Sequence, residues 1–483
     1  MKRSIVLLLV AMGIGAWTWC EAGAQEGNRR TTYSGRAAHA RQGAGPSWRS
    51  SVPSRLAANR TTLDSGVVVG DEVVVDEHVE ETHLNAGEYV VDDAAVGEVE
   101  AYCNNCIAPR RFCICFPAHG WVHAEYLQWW QPGMNAPALV TTSTVGTART
   151  AAGVLGQSAT SVLLGGNDDI LDGARSGGRI RFGTWFDACP GWGMEGEYFG
   201  FGTESDDFFR QSTGSPILAR PFFNMLTGVQ DSELVAFPNV LSGSIAVDAD
   251  SRVDGAAARF RKNLCCWSGC GNSWLDQCMS VPTSTRIDGT VGYRFYELKE
   301  SLAIRERLQS LDTGSPGSFD ITDRFNTRNQ FNGGELGVLW QGRRGFWSLD
   351  ALMRIAIGAN HQTVTITGNT TSVDNGTTST STSGIYSQRT NIGTFDRDQF
   401  IMIPEFGLTL GYQLTRRSRL TVGYSLIYWN NVIRPGDQID TDINPNLFPP
   451  EQDPFTGPLR PQFQFVDSDY WLQGLNFGAE DRW

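Results

Sequence analysis

At 483 residues with a formal net charge of −13, the chain repels rather than attracts nucleic-acid phosphates. It carries 54 glycines, 25 phenylalanines and 15 tryptophans, yet its mean hydropathy is only −0.25. No segment after the N-terminus approaches the roughly 20 apolar residues of a helical span, whereas an apolar exterior offset by a polar interior and polar loops fits a membrane β-barrel.

Lys2 and Arg3 precede an uncharged run from Ile5 to Trp19, and Ala22-Gly23-Ala24 offers the small residues a signal peptidase accepts before Gln25. Residues 1–24 therefore read as a cleaved signal peptide of an exported protein. Trp17 and Trp19 stand where a lipoprotein signal carries an aliphatic and a small residue, so Cys20 is not read as a lipid anchor.

Residues 25–100 read as a disordered linker, basic and then acidic. Gln25 to Arg60 holds seven arginines and one acid without an apolar period. Asp64 to Glu100 is acidic, has no Lys or Arg, and is broken by short valine clusters such as Val67-Val68-Val69. A charge block of this kind stays extended and solvated. The sharper alternative is a strap that binds the basic segment or divalent cations.

Residues 101–120 carry Cys103, Cys106, Cys113 and Cys115. Four thiolates could ligate zinc, but an exported chain matures where thiols pair, so disulfides are expected. A second group, Cys265, Cys266, Cys270 and Cys278, lies in the Trp- and Gly-rich stretch Leu264 to Met279 and reads as a loop stapled by disulfides. With Cys189, nine cysteines follow the signal, so at least one is free or pairs between molecules.

From Trp121 to Trp483 the period is two, as strands require. Trp121, His123, Glu125, Leu127 and Trp129 alternate with Val122, Ala124, Tyr126, Gln128 and Trp130. Ile180, Phe182 and Phe186 alternate with Arg179, Arg181 and Gly183, and Cys189-Pro190-Gly191 turns the chain into a partner strand from Trp192 to Gly202. Val291, Tyr293 and Phe295 alternate with Asp288, Thr290 and Arg294. The strongest pattern sets Trp347, Leu349, Ala351, Met353, Ile355 and Ile357 against Ser348, Asp350, Leu352, Arg354, Ala356 and Gly358. A dry sandwich core tolerates Asp350 and Arg354 poorly, whereas a polar lumen accepts them. Phe406 to Leu414 and Leu420 to Tyr428 repeat the alternation, and Trp471, Gln473, Leu475, Phe477, Ala479, Asp481 and Trp483 close the chain. With weaker segments near Ile245 to Phe260, Leu302 to Leu308 and His361 to Thr367, roughly ten to fourteen strands are expected, in even number.

The connections are unequal. Gln341 to Gly345 and Thr415 to Ser418 are tight, whereas Thr203 to Ser244, Gly368 to Arg389 and Arg434 to Phe465 are long and polar. Short turns on one side and long loops on the other suit an outer-membrane barrel. The low-complexity run Asn369 to Ser383 reads as a mobile, solvated loop.

Trp121-Val-His-Ala-Glu-Tyr-Leu-Gln-Trp-Trp130, Gly177-Gly-Arg-Ile-Arg-Phe-Gly-Thr-Trp-Phe186 and Asp469-Tyr-Trp-Leu-Gln-Gly-Leu-Asn-Phe-Gly478 together resemble the outer-membrane beta-barrel porin family seven, over residues 121–483. The resemblance implies a pore without naming a solute.

Enzyme chemistry is not expected. None of the six histidines pairs with a nucleophile at a recognisable spacing, and G-x-S-x-G, H-E-x-x-H and G-x-x-x-x-G-K are missing. Asn167-Asp168-Asp169 and Asp206-Asp207 read as solvated loops rather than calcium ligands. No metal and no cofactor is assigned. The sequence thus predicts an all-β, closed antiparallel transmembrane β-barrel in the outer membrane, folded there by the barrel-assembly machinery. It would pass small hydrophilic solutes through a lumen lined by Arg179, Arg181, Asp288, Arg294, Asp350 and Arg354. The alternative is a structural or adhesive surface barrel with a plugged lumen.

Overall fold

Alternation at period two, sustained over most of the chain, leaves extended backbone as the conformation that separates apolar from polar side chains. The computed structural model describes residues 119–186, 191–273, 280–314, 316–451 and 454–483. The signal peptide, the linker and Cys103, Cys106, Cys113, Cys115, Cys189 and Cys278 lie outside these residues. The described residues form β1 (Gly120–Trp130), β2 (Val140–Ser143), β3 (Thr160–Leu164), β4 (Ala174–Trp185), β5 (Trp192–Phe201), β6 (Glu204–Ser212), β7 (Ile217–Asn224), β8 (Val229–Ala236), β9 (Leu241–Asn272), β10 (Ser280–Ser310), β11 (Gly317–Arg344), β12 (Trp347–Asp374), β13 (Thr377–Ser381), β14 (Gly393–Gln413), β15 (Ser418–Ile433), β16 (Asp442–Ile443) and β17 (Asp467–Arg482). There is no α-helix among them.

Ten strands pair in a ring. β1, β4, β5, β9, β10, β11, β12, β14, β15 and β17 follow one another, every pair antiparallel, and β17 pairs back onto β1. The last backbone bond of the seam runs from Trp483 N–H to the Gly120 carbonyl (3.1 Å). Ten is even and lies at the low end of the expected range.

The faces of these strands follow the sequence pattern. On β12, Ile355 and Ile357 are exposed while Ser348, Asp350, Arg354 and Ala356 are buried inside. On β17, Leu475 and Phe477 are exposed while Tyr470, Leu472, Asn476 and Glu480 are buried. Phe182, Val291, Leu336, Leu408 and Val422 continue the exposed apolar band on the other strands.

The two ends of the ring differ. At one end lie the hairpin turns between β11 and β12 and between β14 and β15, together with the start of β1 and the end of β17. At the other end, β9 to β12 run on for 28 to 32 residues in total, far more than the roughly 9–11 a tilted spanning strand needs. Their outward positions turn charged there, with Arg252 bonded to Asp254 (2.8 Å) and Arg328 to Glu297 (2.6 Å).

The long connections are not loose. They carry a second, five-stranded sheet of β2, β3, β7, β8 and β16. Its Val140, Leu218 and Phe222 pack with Val247, Ile304, Phe325 and Ile366 of the long strands in one apolar core, forming a cap. The run Asn369 to Ser383, expected as a mobile loop, instead completes β12 and folds back as β13, with Thr370 paired to Ser381. Leu264 to Asn272, expected as part of a stapled loop, continues β9 in register with β10 as far as Asn272 opposite Ser280. Cys266 and Cys270 are exposed on that strand and form no disulfide among the described residues, while Cys278 lies outside them.

Candidate functional site: the interior of the ring

Every second residue of ten strands points into a space only slightly wider than the eight-stranded case that side chains just fill. Inner residues therefore meet across the ring, and they do so in layers.

The layer nearest the tight turns surrounds a cavity of about 500 Å³ lined by His123, Arg181, Trp185, Arg261, Gln341 and Arg482 among others. On one wall, Arg179 donates from Nε to Glu125 Oε2 (2.6 Å) and Arg181 from Nη2 to the same oxygen (3.0 Å). His123 Nε2 lies 2.8 Å from the Thr421 hydroxyl. On another wall, Arg261 and Arg286 both reach Asp288 (2.7 Å each). On a third, Arg419 bridges Asp350 (2.9 Å) and Glu480 (2.6 Å), and Glu480 also bonds Arg482. Arg343 lines the same cavity as Asp350, Arg419, Glu480 and Arg482, with no ion pair to a described residue.

Beneath the cavity is a closed ionic layer. Arg259 pairs with Glu195 (2.5 Å), Glu197 (3.2 Å) and Glu335 (2.8 Å). Arg294 pairs with Glu335 (2.7 Å) and also with Glu197 and Glu405. Arg354 of β12 reaches Glu195 (3.1 Å) and Glu197 (3.3 Å) of β5, four strands away around the ring. All seven groups are buried. Ionised side chains out of water are tolerated only when opposite charges and hydrogen bonds surround them, and here each guanidinium faces more than one carboxylate.

Next comes an aromatic layer. Tyr296 of β10 meets Trp429 of β15 with ring centroids 5.8 Å apart, again across the ring. Trp129 packs on Phe199 (5.8 Å) and Phe201 (5.3 Å), and Tyr296 on Phe199 (5.9 Å) and Phe331 (6.2 Å). Trp129, Phe199, Phe331 and Trp429 are each at most 1% exposed, so no aqueous path passes between them. Toward the cap, Arg434 closes on Glu300 with two bonds (2.9 and 2.7 Å), and Arg175 on Gln131 and Ser251.

Within the cap, Arg220 is wholly buried. It donates to Asp323 (2.6 Å) and lies 3.7 Å from Glu306. Glu306 accepts no hydrogen bond, and burial pushes its carboxyl up to about 8. Glu233, opposite Arg220 in the β7–β8 register, is pushed up to about 7, again by burial.

The six residues expected to line the lumen all face inward. Arg179, Arg294 and Arg354 are buried, as are Asp288 and Asp350, and Arg181 is nearly so. Arg179, Arg181, Asp350 and Arg354 line the cavity, whereas Asp288 and Arg294 lie behind its surface, and most of the six residues' polar groups are engaged by ion pairs. Glu195, Glu197, Arg259 and Arg261 complete the layers and were not singled out from sequence. Their signal was present, since Glu195 and Glu197 alternate with the outward Met194 and Tyr198.

No curated protein matches the chain in sequence. Among solved structures, it is similar to the outer membrane protease OmpT from Escherichia coli (7% identity, TM-score 0.34, 76% of this chain and 97% of that one). It is also similar to the toluene transporter TodX of P. putida (7%, TM-score 0.19, 76% and 91%) and to a Pseudomonas aeruginosa FadL homologue (8%, TM-score 0.19, 76% and 90%). A family model described as Putative beta barrel porin-7 (BBP7) matches residues 121–483. With that match spanning the whole ring and its cap, the chain belongs to the beta barrel porin-7 family.

Proposed function

We propose that this chain is an exported outer-membrane protein whose ten-stranded ring is a closed transmembrane barrel, occluded at mid-depth and carrying an ordered cap on the cell surface. The observation that carries the reading is contact across the lumen: Arg354 with Glu195 and Glu197, and Tyr296 with Trp429. The exposed apolar band suits acyl chains, and the charged outward positions on the extended parts of β9 to β12 suit the water beyond them. In this reading residues 1–24 are removed on export, the barrel-assembly machinery inserts the strands, and the role is structural or adhesive. It involves no catalytic step.

A second reading keeps passive diffusion of small hydrophilic solutes. The family name and the water-accessible cavity above the ionic layer favour it, and it requires both the ionic and the aromatic layers to move aside. Planar-bilayer recording separates the two. The occluded barrel gives no steady current, and the double variant Y296A/W429A, which leaves Arg354 on Glu195 and Glu197, gives none either. Steady single-channel steps from the unmodified protein would overturn the occluded reading in favour of a pore.

A further inference from the structure

We propose that the cavity at the tight-turn end of the ring is a binding site for a compact multivalent oxyanion bearing phosphate or carboxylate groups. The site concerns occupancy of this cavity and stands whether or not the interior conducts.

Charge accounting locates it. The ionic layer below holds three guanidiniums, from Arg259, Arg294 and Arg354, against four carboxylates, from Glu195, Glu197, Glu335 and Glu405. Around the cavity the balance reverses: the described lining carries eight arginines, Arg354 of the ionic layer among them, against the side-chain carboxylates of Glu195, Asp350 and Glu480, with Glu125 and Asp288 engaged behind them. Among the described lining residues guanidiniums therefore outnumber side-chain carboxylates within one partly enclosed space. Like charges gathered away from bulk water repel strongly, and a multivalent anion relieves that cost.

The donor set suits the ligand class. Guanidinium forks bind phosphate and carboxylate oxygens through paired hydrogen bonds that a lysine cannot reproduce, and no lysine is among the cavity's described lining residues. Arg343 has its donors uncommitted to any described carboxylate and shares the cavity wall with Arg419 and Arg482. The wall stiffens the arrangement: Trp185 lies under Arg286 (3.9 Å from guanidinium carbon to ring centroid) and Arg261 (5.1 Å), holding both while excluding water from one side.

The test uses the full chain folded in an uncharged detergent at low ionic strength, with inorganic pyrophosphate and citrate titrated separately by calorimetry. Saturable binding of either anion is expected, and which one binds identifies the preferred group. R343Q, which removes no existing ion pair, should weaken it by about tenfold, R343K should restore only part of that loss, and R343Q/R482Q should abolish it. R307Q, on the exposed part of β10, should change nothing, and a heat-modifiability gel verifies that each variant is folded. Failure of the unmodified protein to bind either anion, or binding that R343Q leaves intact, overturns the proposal. Neither result bears on conductance.

Discussion

Replacing Glu306 by Gln tests whether the cap is held by a proton. Glu306 is buried beside Arg220, which is already engaged by Asp323, and its carboxyl rises from 4.5 to about 8. A group whose folded-state value is raised binds a proton that the opened state releases. The closed cap therefore has its full stability from Glu306 below about pH 4.5 and loses it as pH climbs through 8. Each unit is worth about 1.4 kcal/mol, so roughly 4–5 kcal/mol is at stake across the window. Glu233 adds a similar loss that ends near pH 7. Hydrogen exchange of the β7 amides at pH 5.5, 7.0 and 8.5, corrected for the intrinsic pH dependence of exchange, reads the opening free energy. Protection should fall steadily with pH in the unmodified protein. In E306Q the decline should stop near pH 7, and in E233Q/E306Q it should vanish. A pH-independent cap, or an E306Q variant with the full decline, would refute the reasoning.

Other consequences are equally direct. Leu408 is exposed within the apolar band, so L408R should cost roughly 2–4 kcal/mol if it lies near the bilayer midplane, read as a lower urea midpoint in lipid vesicles. E197Q strips one carboxylate from a layer in which Arg259, Arg294 and Arg354 converge. Because Glu197 accepts from all three guanidiniums, its loss leaves each short of a buried partner and should lower stability by roughly 3–5 kcal/mol, against no measurable change for the surface variant R307Q. A Cβ on Gly358 would lie 2.2 Å from the Asn332 carbonyl and 2.4 Å from the Gly333 Cα, both backbone. G358A should therefore push β11 from β12 and abolish the heat-stable compact band on unboiled gels.

The wall was legible because its signal is local. Trp347 to Ile357 reports its outward face within eleven residues, and the same is true of β14, β15 and β17. What fills the interior was not, because it depends on which strands stand opposite each other. Arg354 and Glu195 are separated by 159 positions, and Tyr296 and Trp429 meet only once the ring is assembled. A shift of register at Ile287 and Asp288 explains one local miss. It inserts an extra residue opposite β10 and reverses the phase of β9 just before Cys265, so the alternation beyond that point falls out of step and resembles a loop. The cap was missed for another reason. β2, β3 and β16 are too short to establish a period, and they depend on partners far away in the chain.

The seam between β1 and β17 makes the earliest described strand wait for the latest. Until Asp467–Arg482 has been synthesised and delivered, Gly120–Trp130 can satisfy only its β4 side, and β15 likewise has one bare edge. A nascent sheet in that condition is a curved ribbon with two sticky margins, which a holding factor must shield. Deleting β17 should thus produce a species that sheds its own partners for those of other molecules, and its fate would be clumping before it reached lipid.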